Sequence, residues 1–386
     1  MREPLHYQSN SDARTVISVI ATAILIKIAL FLWVTSHFDF SLHKMENWLS
    51  IWDRWDCRAY KTIASEGYNA PTSPEDYRGF LVHFPPIYPI TIYVFSRIFS
   101  ISVAHAGFLV SFFASVASSY YLYKLALIEF ADKRTAYTSV ILLNVYPTSY
   151  FGITIYSESL FLLLTILSFY LLRKDEIILA GLSGGVAILT RLSGVVILPV
   201  FLYYIFKKIK GGGAQPCGRY ILLIGLPILA CLLYLLLNLF YYGDPFFFQK
   251  EYAINPYSAK HLILPLRETA ESLIMLFTKP LKHIGDQHFM MTMGWGSILT
   301  LLALIATAWG IQKVPFDYTL YSIGSVLFFS SYSWGISNAR YTYAVFPLFL
   351  VLARIKNTVI IVSILFFSVV LLLHFSKLFT GGTWAF

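Results

Sequence analysis

Asp53 and Asp56 stand three residues apart in Trp52–Tyr68, WDRWDCRAYKTIASEGY, a charged and aromatic island in an otherwise apolar chain. A helix over Trp52–Glu66 puts Asp53, Asp56, Tyr60 and Ile63 on one face and Arg54, Arg58 and Lys61 on another. A carboxylate within hydrogen-bond reach of a hydroxyl acts as a general base, and cationic side chains hold a phosphate leaving group. An acidic face beside a basic one therefore suits a site that takes a proton from a sugar hydroxyl and holds a phosphate. An amphipathic interfacial helix with intrahelical pairs such as Asp53–Arg58 is the other reading of the same pattern. Seven of the twenty acids (Asp39, Glu46, Asp53, Asp56, Glu66, Glu75, Asp76) fall between His37 and Pro85, so the chain gathers its acids in one loop. A divalent metal is compatible with Asp53 and Asp56, but two carboxylates alone do not indicate one.

Further along, three charges interrupt apolar sequence. Glu158, in Tyr156–Phe161, is the only acid between Asp132 and Asp175. It stands near the membrane surface or just inside, where it also suits the first turn of a helix beside Ser157. Arg191 breaks Ala187–Thr190 from Leu192–Val195, and an arginine at such depth costs several kcal/mol (about 3) unless paired or wetted. It needs an anion, and Glu158 or a lipid phosphate are the candidates. Arg340, followed by Tyr341, sits at the mouth of a late apolar run, either as a functional cation or as a membrane-surface anchor. His83 opens a rigid His83–Pro89 segment with three prolines, and is either a neighbour of the acids or an interfacial residue. His261, His283 and His288 show no metal-ligand spacing.

These residues must be positioned by membrane-crossing helices. The chain is 57% hydrophobic and 13% charged, with a mean hydropathy of +0.66, whereas soluble domains carry about 25% charged residues. An all-α polytopic membrane protein is expected, as one membrane domain over 1–386. Its net charge of +9 is spread over short loops, which sets orientation rather than binding nucleic acid. At about 20 residues per crossing, the candidate spans are Thr15–Val34, Pro86–Ser100, Ala104–Glu129, Ala136–Tyr150, Ser157–Leu172, Ile177–Leu189 and Gly194–Phe206. Tyr220–Leu239, Met293–Gln312, Tyr318–Ser331, Tyr341–Arg354 and Val359–Phe375 follow, some too short to cross alone. The N-terminal run reads as a retained first span with a cytoplasmic N-terminus. Between these lie a large first loop, 37–85, and a second polar stretch, 241–291.

Counting strict crossings puts Lys133 and Arg134 on the side opposite the other basic clusters. One short helix, with Pro86–Ser100 as the candidate, is therefore half-inserted or paired with its neighbour. Ile177–Leu189 and Gly194–Phe206 form another such pair, broken at Thr190-Arg191; broken helices are tolerated where they line a cavity. Cys57, Cys217 and Cys231 form no metal or disulfide pattern, and Cys231 reads as a small buried hydrophobe.

The ordered set RWDCRAYKTIASEGY, HFPPIYP, NVYPTSYFGITIYSESLF, AGLSGGVAILTRLSG, YYGDPFFFQ and NARYTYAVFPLF resembles the PIG-V type mannosyltransferases, within the GT-C glycosyltransferases, and most closely their compact prokaryotic members. The resemblance implies a GT-C-like bundle of about 10–13 crossing or half-inserted helices, seated in a prokaryotic plasma membrane with its site outside the cytoplasm. It implies transfer of a hexose, usually mannose, from a polyprenyl-phosphate-linked donor to an acceptor hydroxyl, with inversion. Asp56 matches the family's Trp-Asp acid and is the expected base, with Asp53 as an additional acid. Arg54, Arg58, Tyr60, His83, Glu158, Arg191, Arg340 and Tyr341 are the expected donor-binding set. No cofactor is implied beyond the lipid-linked donor, and membrane lipids, donor and an unidentified acceptor are the expected partners. A lipid or lipid-linked-sugar flippase without transferase activity is the rival reading, because isolated arginines and broken helices also suit a translocation path.

Overall fold

The computed structural model describes residues 13–37, 49–69, 78–212, 216–254, 260–278, 286–333 and 335–385. The acids Asp39, Glu46, Glu75 and Asp76 and His283 lie outside them. Apart from one isolated bridge between Leu262 and Tyr332, the described residues are helical or in turns. Among the described residues six helical segments are long and apolar enough to cross a membrane: Ala13–Thr35, Val103–Phe130, Leu192–Lys210, Cys217–Tyr242, Met290–Gly310 and Thr358–Thr380. Gly335–Tyr343 and Pro347–Ala353 together make a seventh, bent by 62°. The chain is an all-α polytopic membrane protein.

Helix α1 is Ala13–Thr35, α2 Cys57–Glu66, α3 Ile87–Phe99, α4 Val103–Phe130, α5 Lys133–Val145 and α6 Glu158–Arg173. After the 12-residue α7, Ile177–Ile188, the chain breaks and resumes as α8, Ile197–Lys210. Then come α9, Cys217–Tyr242; α10, Phe247–Ile254; α11, Arg267–Thr278; α12, Trp295–Gly310; and α13, Phe316–Phe329. Short α14, Asn338–Tyr343, and α15, Pro347–Ala353, form the bent span, and α16 is Thr358–Thr380. Polar caps mark several starts: Ser102 accepts from His105 N at α4, Asp132 from Arg134 N and Thr135 N at α5, and Asn357 from Val359 N and Ile360 N at α16, which satisfies donors that helix starts leave open.

The Pro86–Ser100 run folds as the short α3, Ile87–Phe99. α3 has only 13 residues, and packs on α4 through Tyr88, whose hydroxyl meets Ser111 Oγ at 2.6 Å. The basic clusters gather at one end of the bundle. Arg173, closing α6, pairs with Glu129 and with Asp317 at 2.6 Å, Lys208 pairs with Asp175 at 2.8 Å, and Arg354 lies over the Phe130 ring. The ends of α4, α6, α8 and α15 and the starts of α7 and α13 therefore share one basic surface, and Lys133 and Arg134 adjoin it. Cys231 is half-buried rather than buried.

α7 and α9 approach closely because α7 offers glycine to the seam. A Cβ on Gly181 would lie 2.9 Å from Leu223 Cα, and one on Gly185 would lie 3.0 Å from Leu226 O. Both obstacles are backbone, and small residues four apart are how helices meet in lipid. Gly185→Val is expected to destabilise the fold by about 1–3 kcal/mol or more, read as a lowered unfolding temperature in detergent, whereas Gly218→Val, with open space around it, leaves that temperature unchanged.

Candidate active site

The loop before α2 does not continue the helix. Trp55 adopts a left-handed conformation at φ 46°, with its ring against Phe379 and Trp384, and the helix begins only at Cys57 with Asp56 at its N-cap position. The expected shared face of Asp53 and Asp56 is therefore not formed. Asp53 lies in a turn, pairs with Lys61 rather than Arg58, and borders a separate small hollow of about 230 Å³ with Ser102 and His105. Arg54 also turns away, donating from Nη2 to Thr380 O at 2.7 Å and from Nε to Ile51 O at 3.1 Å. It ties the first loop to the last helix instead of facing a ligand. Tyr156 fixes the turn from the other side: its hydroxyl accepts from Asp56 N at 3.3 Å and donates to Arg54 O at 3.2 Å.

Asp56, so placed, faces a cavity of about 1100 Å³ that Arg58, Tyr60, His83, Arg191, Arg340 and Tyr341 also line. Three helix interruptions bring them together. Arg191 is extended, at φ −153° and ψ 131°, in the break between α7 and the 3-10 turn Leu192–Val196. Arg340 stands on the six-residue α14 just before the 62° bend. Glu158 begins α6, where the helix dipole favours an acid.

Glu158 does not itself line the cavity. It is fully buried, and Ser111 and Ser118, well inside α4, donate to the carbonyls of Tyr156 and Ser159 on either side of it. Behind the cavity wall its Oε1 takes both arginines, Arg191 Nη1 at 2.5 Å and Arg340 Nε at 3.1 Å. Arg340 Nη1 donates in turn to Asp56 Oδ2 at 2.8 Å. Of the two candidate anions for Arg191, the protein supplies its own. The Tyr341 ring lies 5.3 Å from both guanidinium groups, a spacing at which a ring face attracts cations. Ser157 joins the network, accepting from Arg191 at 3.1 Å and meeting Tyr60 OH at 2.7 Å. Burial holds the Tyr60 hydroxyl well above its ordinary pKa, so it remains a neutral donor.

One pair escapes sequence reasoning. His83 Nε2 meets Glu251 Oε2, and the imidazole stacks on Tyr252, centroids 3.7 Å apart. Glu251 is fully buried. Its position in the second polar stretch, 168 residues from His83, carries no local mark of the pairing. Burial pushes the His83 imidazole below its ordinary pKa, against the pull of Glu251. Among the described residues no three His, Cys, Asp or Glu side chains come together to hold a metal ion.

A polytopic helical bundle with charged groups converging on an internal cavity is the class this architecture defines. Residues 83–238 match the family model described as dolichyl-phosphate-mannose-protein mannosyltransferase, a stretch containing His83, Glu158 and Arg191 but neither Asp56 nor Arg340. No curated protein matches the chain. Among solved structures, the Archaeoglobus fulgidus oligosaccharyltransferase is similar in its apo form at 13% identity and TM-score 0.46, covering 96% of this chain and 56% of that one. The same enzyme with zinc and sulfate gives 14% identity and TM-score 0.48, covering 95% and 53%. Its complex with an inhibitory peptide and a dolichol-phosphate gives 15% and 0.44, covering 96% and 56%. The chain thus spans about half the length of these structures.

Loss of the His83–Glu251 contact removes a buried, charge-assisted hydrogen bond, so Glu251→Ala is expected to cost about 2 kcal/mol. A fall in unfolding temperature in detergent checks this, with the exposed Arg267–Glu271 pair as a control whose removal costs less than about 1 kcal/mol.

Proposed function

We propose that this protein is a membrane glycosyltransferase of the GT-C type, moving one hexose from a polyprenyl-phosphate-linked donor to an acceptor hydroxyl. Mannose as the sugar and the PIG-V type as the family rest on the sequence resemblance, and the partial match to a dolichyl-phosphate-mannose-protein mannosyltransferase family model supports the broader reading of a membrane glycosyltransferase. The observation that carries the reading is the convergence of Asp56, Arg191 and Arg340 on one cavity of about 1100 Å³ among helices apolar enough to meet lipid. A carboxylate beside two arginines suits removal of a proton from a hydroxyl near a departing phosphate. The donor arrives dissolved in the bilayer, so no glycine-rich phosphate loop is required.

In the proposed reaction the acceptor oxygen attacks the anomeric carbon as the bond from that carbon to the phosphate oxygen breaks, and the sugar inverts. The acceptor's proton passes to Asp56, whose Oδ1 takes no hydrogen bond from a described residue while Oδ2 is held by Arg340. The lipid phosphate departs with the bonding electrons toward Arg191 and Arg340. Arg58, Tyr60, His83 and Tyr341 complete the surrounding wall. With the basic end of the bundle in the cytoplasm, the site opens on the other side of the membrane, taken to be a prokaryotic plasma membrane.

Asp56→Asn is expected to lower sugar transfer from synthetic polyprenyl-phosphate mannose by about 10²-fold or more, with the unfolding temperature in detergent unchanged. Glycolipids from a deletion strain, compared by mass spectrometry, identify the sugar and the acceptor. Unaltered transfer by the folded variant removes Asp56 from the chemistry. Lipid movement across vesicles with no transfer by the native chain favours a flippase instead.

A further inference from the structure

The four charges beside the cavity are wired in series. Arg340 touches both anions: Nη1 donates a hydrogen bond to Asp56 Oδ2 at 2.8 Å, and Nε forms an ion pair with Glu158 Oε1 at 3.1 Å without hydrogen-bond geometry. The same Glu158 oxygen holds Arg191 at 2.5 Å, while Glu158 Oε2 is buried with no hydrogen-bond partner among the described residues. Two guanidinium cations and two carboxylates sum to zero formal charge at rest. Buried ions on one network act together, since removing one partner leaves another uncompensated.

Glycosyl transfer changes the charge at both ends of this series. A polyprenyl-phosphate sugar is a diester with one negative charge, and the monoester it releases carries about −1.5 to −2 at neutral pH. The reaction therefore adds roughly one negative charge at the phosphate just as a proton cancels the charge of Asp56. Resting on the glycosyl-transfer reading, we propose that Glu158 is a positioning residue that seats Arg340 between the base and the leaving group, so that protonation of Asp56 releases Arg340 Nη1 to the phosphate as its new charge appears. The bonds balance as in the transfer itself: the acceptor O–H proton ends on Asp56, the acceptor oxygen joins the anomeric carbon, and the electrons of the broken bond stay on the phosphate. Once Asp56 loses its proton to water, it recaptures Arg340 and the neutral network lets the lipid phosphate go. Glu158 thus limits how tightly the arginines hold product.

A purely structural counter-ion and a wired one predict opposite signs. If Glu158 only anchors the arginines for folding, Glu158→Gln loosens them and weakens phosphate binding. If the series operates as proposed, Glu158→Gln leaves one uncancelled cation, and a C20 prenyl phosphate, geranylgeranyl phosphate, binds roughly tenfold or more tightly. Both kcat and the KM for donor fall in that variant, because product leaves slowly. Asp56→Asn, which imitates the protonated base, tightens the same probe although its sugar transfer is strongly reduced. The measurement is calorimetric titration of the full chain in detergent, with geranylgeraniol as the uncharged control whose binding stays unchanged. Unchanged or weaker phosphate binding in both variants overturns the proposal, and if Glu158→Gln does not fold, Asp56→Asn decides alone. Failure of the native chain to bind the prenyl phosphate at all removes the glycosyl-transfer reading beneath it; binding by the native chain with no gain in either variant removes only the coupling.

Discussion

A carboxylate oxygen shared by two guanidinium groups, deep among apolar helices, governs the arrangement around it. Glu158, Arg191 and Arg340 are each expensive to bury alone, and they are tolerable only if three separate parts of the chain deliver them to one point. The first turn of α6, the break after α7 and the short α14 do so. Each is a place where regular helix starts or fails. An uninterrupted helix through Thr190–Leu192, or through Ala344–Phe346, would carry its arginine past the meeting point, so the interruptions and the ion network require each other.

The opposite end of the bundle is built on a different balance. There Arg173 joins Glu129 and Asp317, and the Tyr318 hydroxyl donates to Glu129 at 2.6 Å. This cluster borders the basic surface and ties α4, α6 and α13. Between the two ends the seam of Gly181 and Gly185 against α9 supplies close backbone packing. Charge thus does two jobs in one molecule, fastening helices at the basic end and lining a chamber at the other.

Much of this is legible in the residues and part of it is not. Arg191 announces itself, because an arginine between Ala187–Leu189 and Leu192–Gly194 demands an anion and a broken helix, and both are present. The shortness of the helix in Pro86–Ser100 is legible in the sequence, and α3 has 13 residues. The relation of Asp53 to Asp56 is not: periodicity assumes an unbroken helix, and the left-handed turn at Trp55 depends on Phe379, Trp384 and Tyr156, which are distant in the chain. Arg54 is unreadable for the same reason, since its partner is a carbonyl of the last helix. Glu251 looks like any acid of a polar stretch until folding buries it against His83. Local pattern reports what a residue needs, and tertiary packing decides which neighbour provides it.

Helix α6 runs from Glu158 to Arg173 in 16 residues, a separation of about 22 Å at 1.5 Å per residue. Its two ends are pinned, one to the arginines and the other to the basic surface. The helix is thus a rigid ruler that sets the altitude of the chamber from one face of the bilayer only. A thicker membrane moves the far headgroups away without lifting the chamber, so the chemistry sinks relative to the opposite leaflet. On the proposed reading, a lipid-borne sugar headgroup would have to dip further to reach it, so host-lipid thickness would set how easily the donor enters.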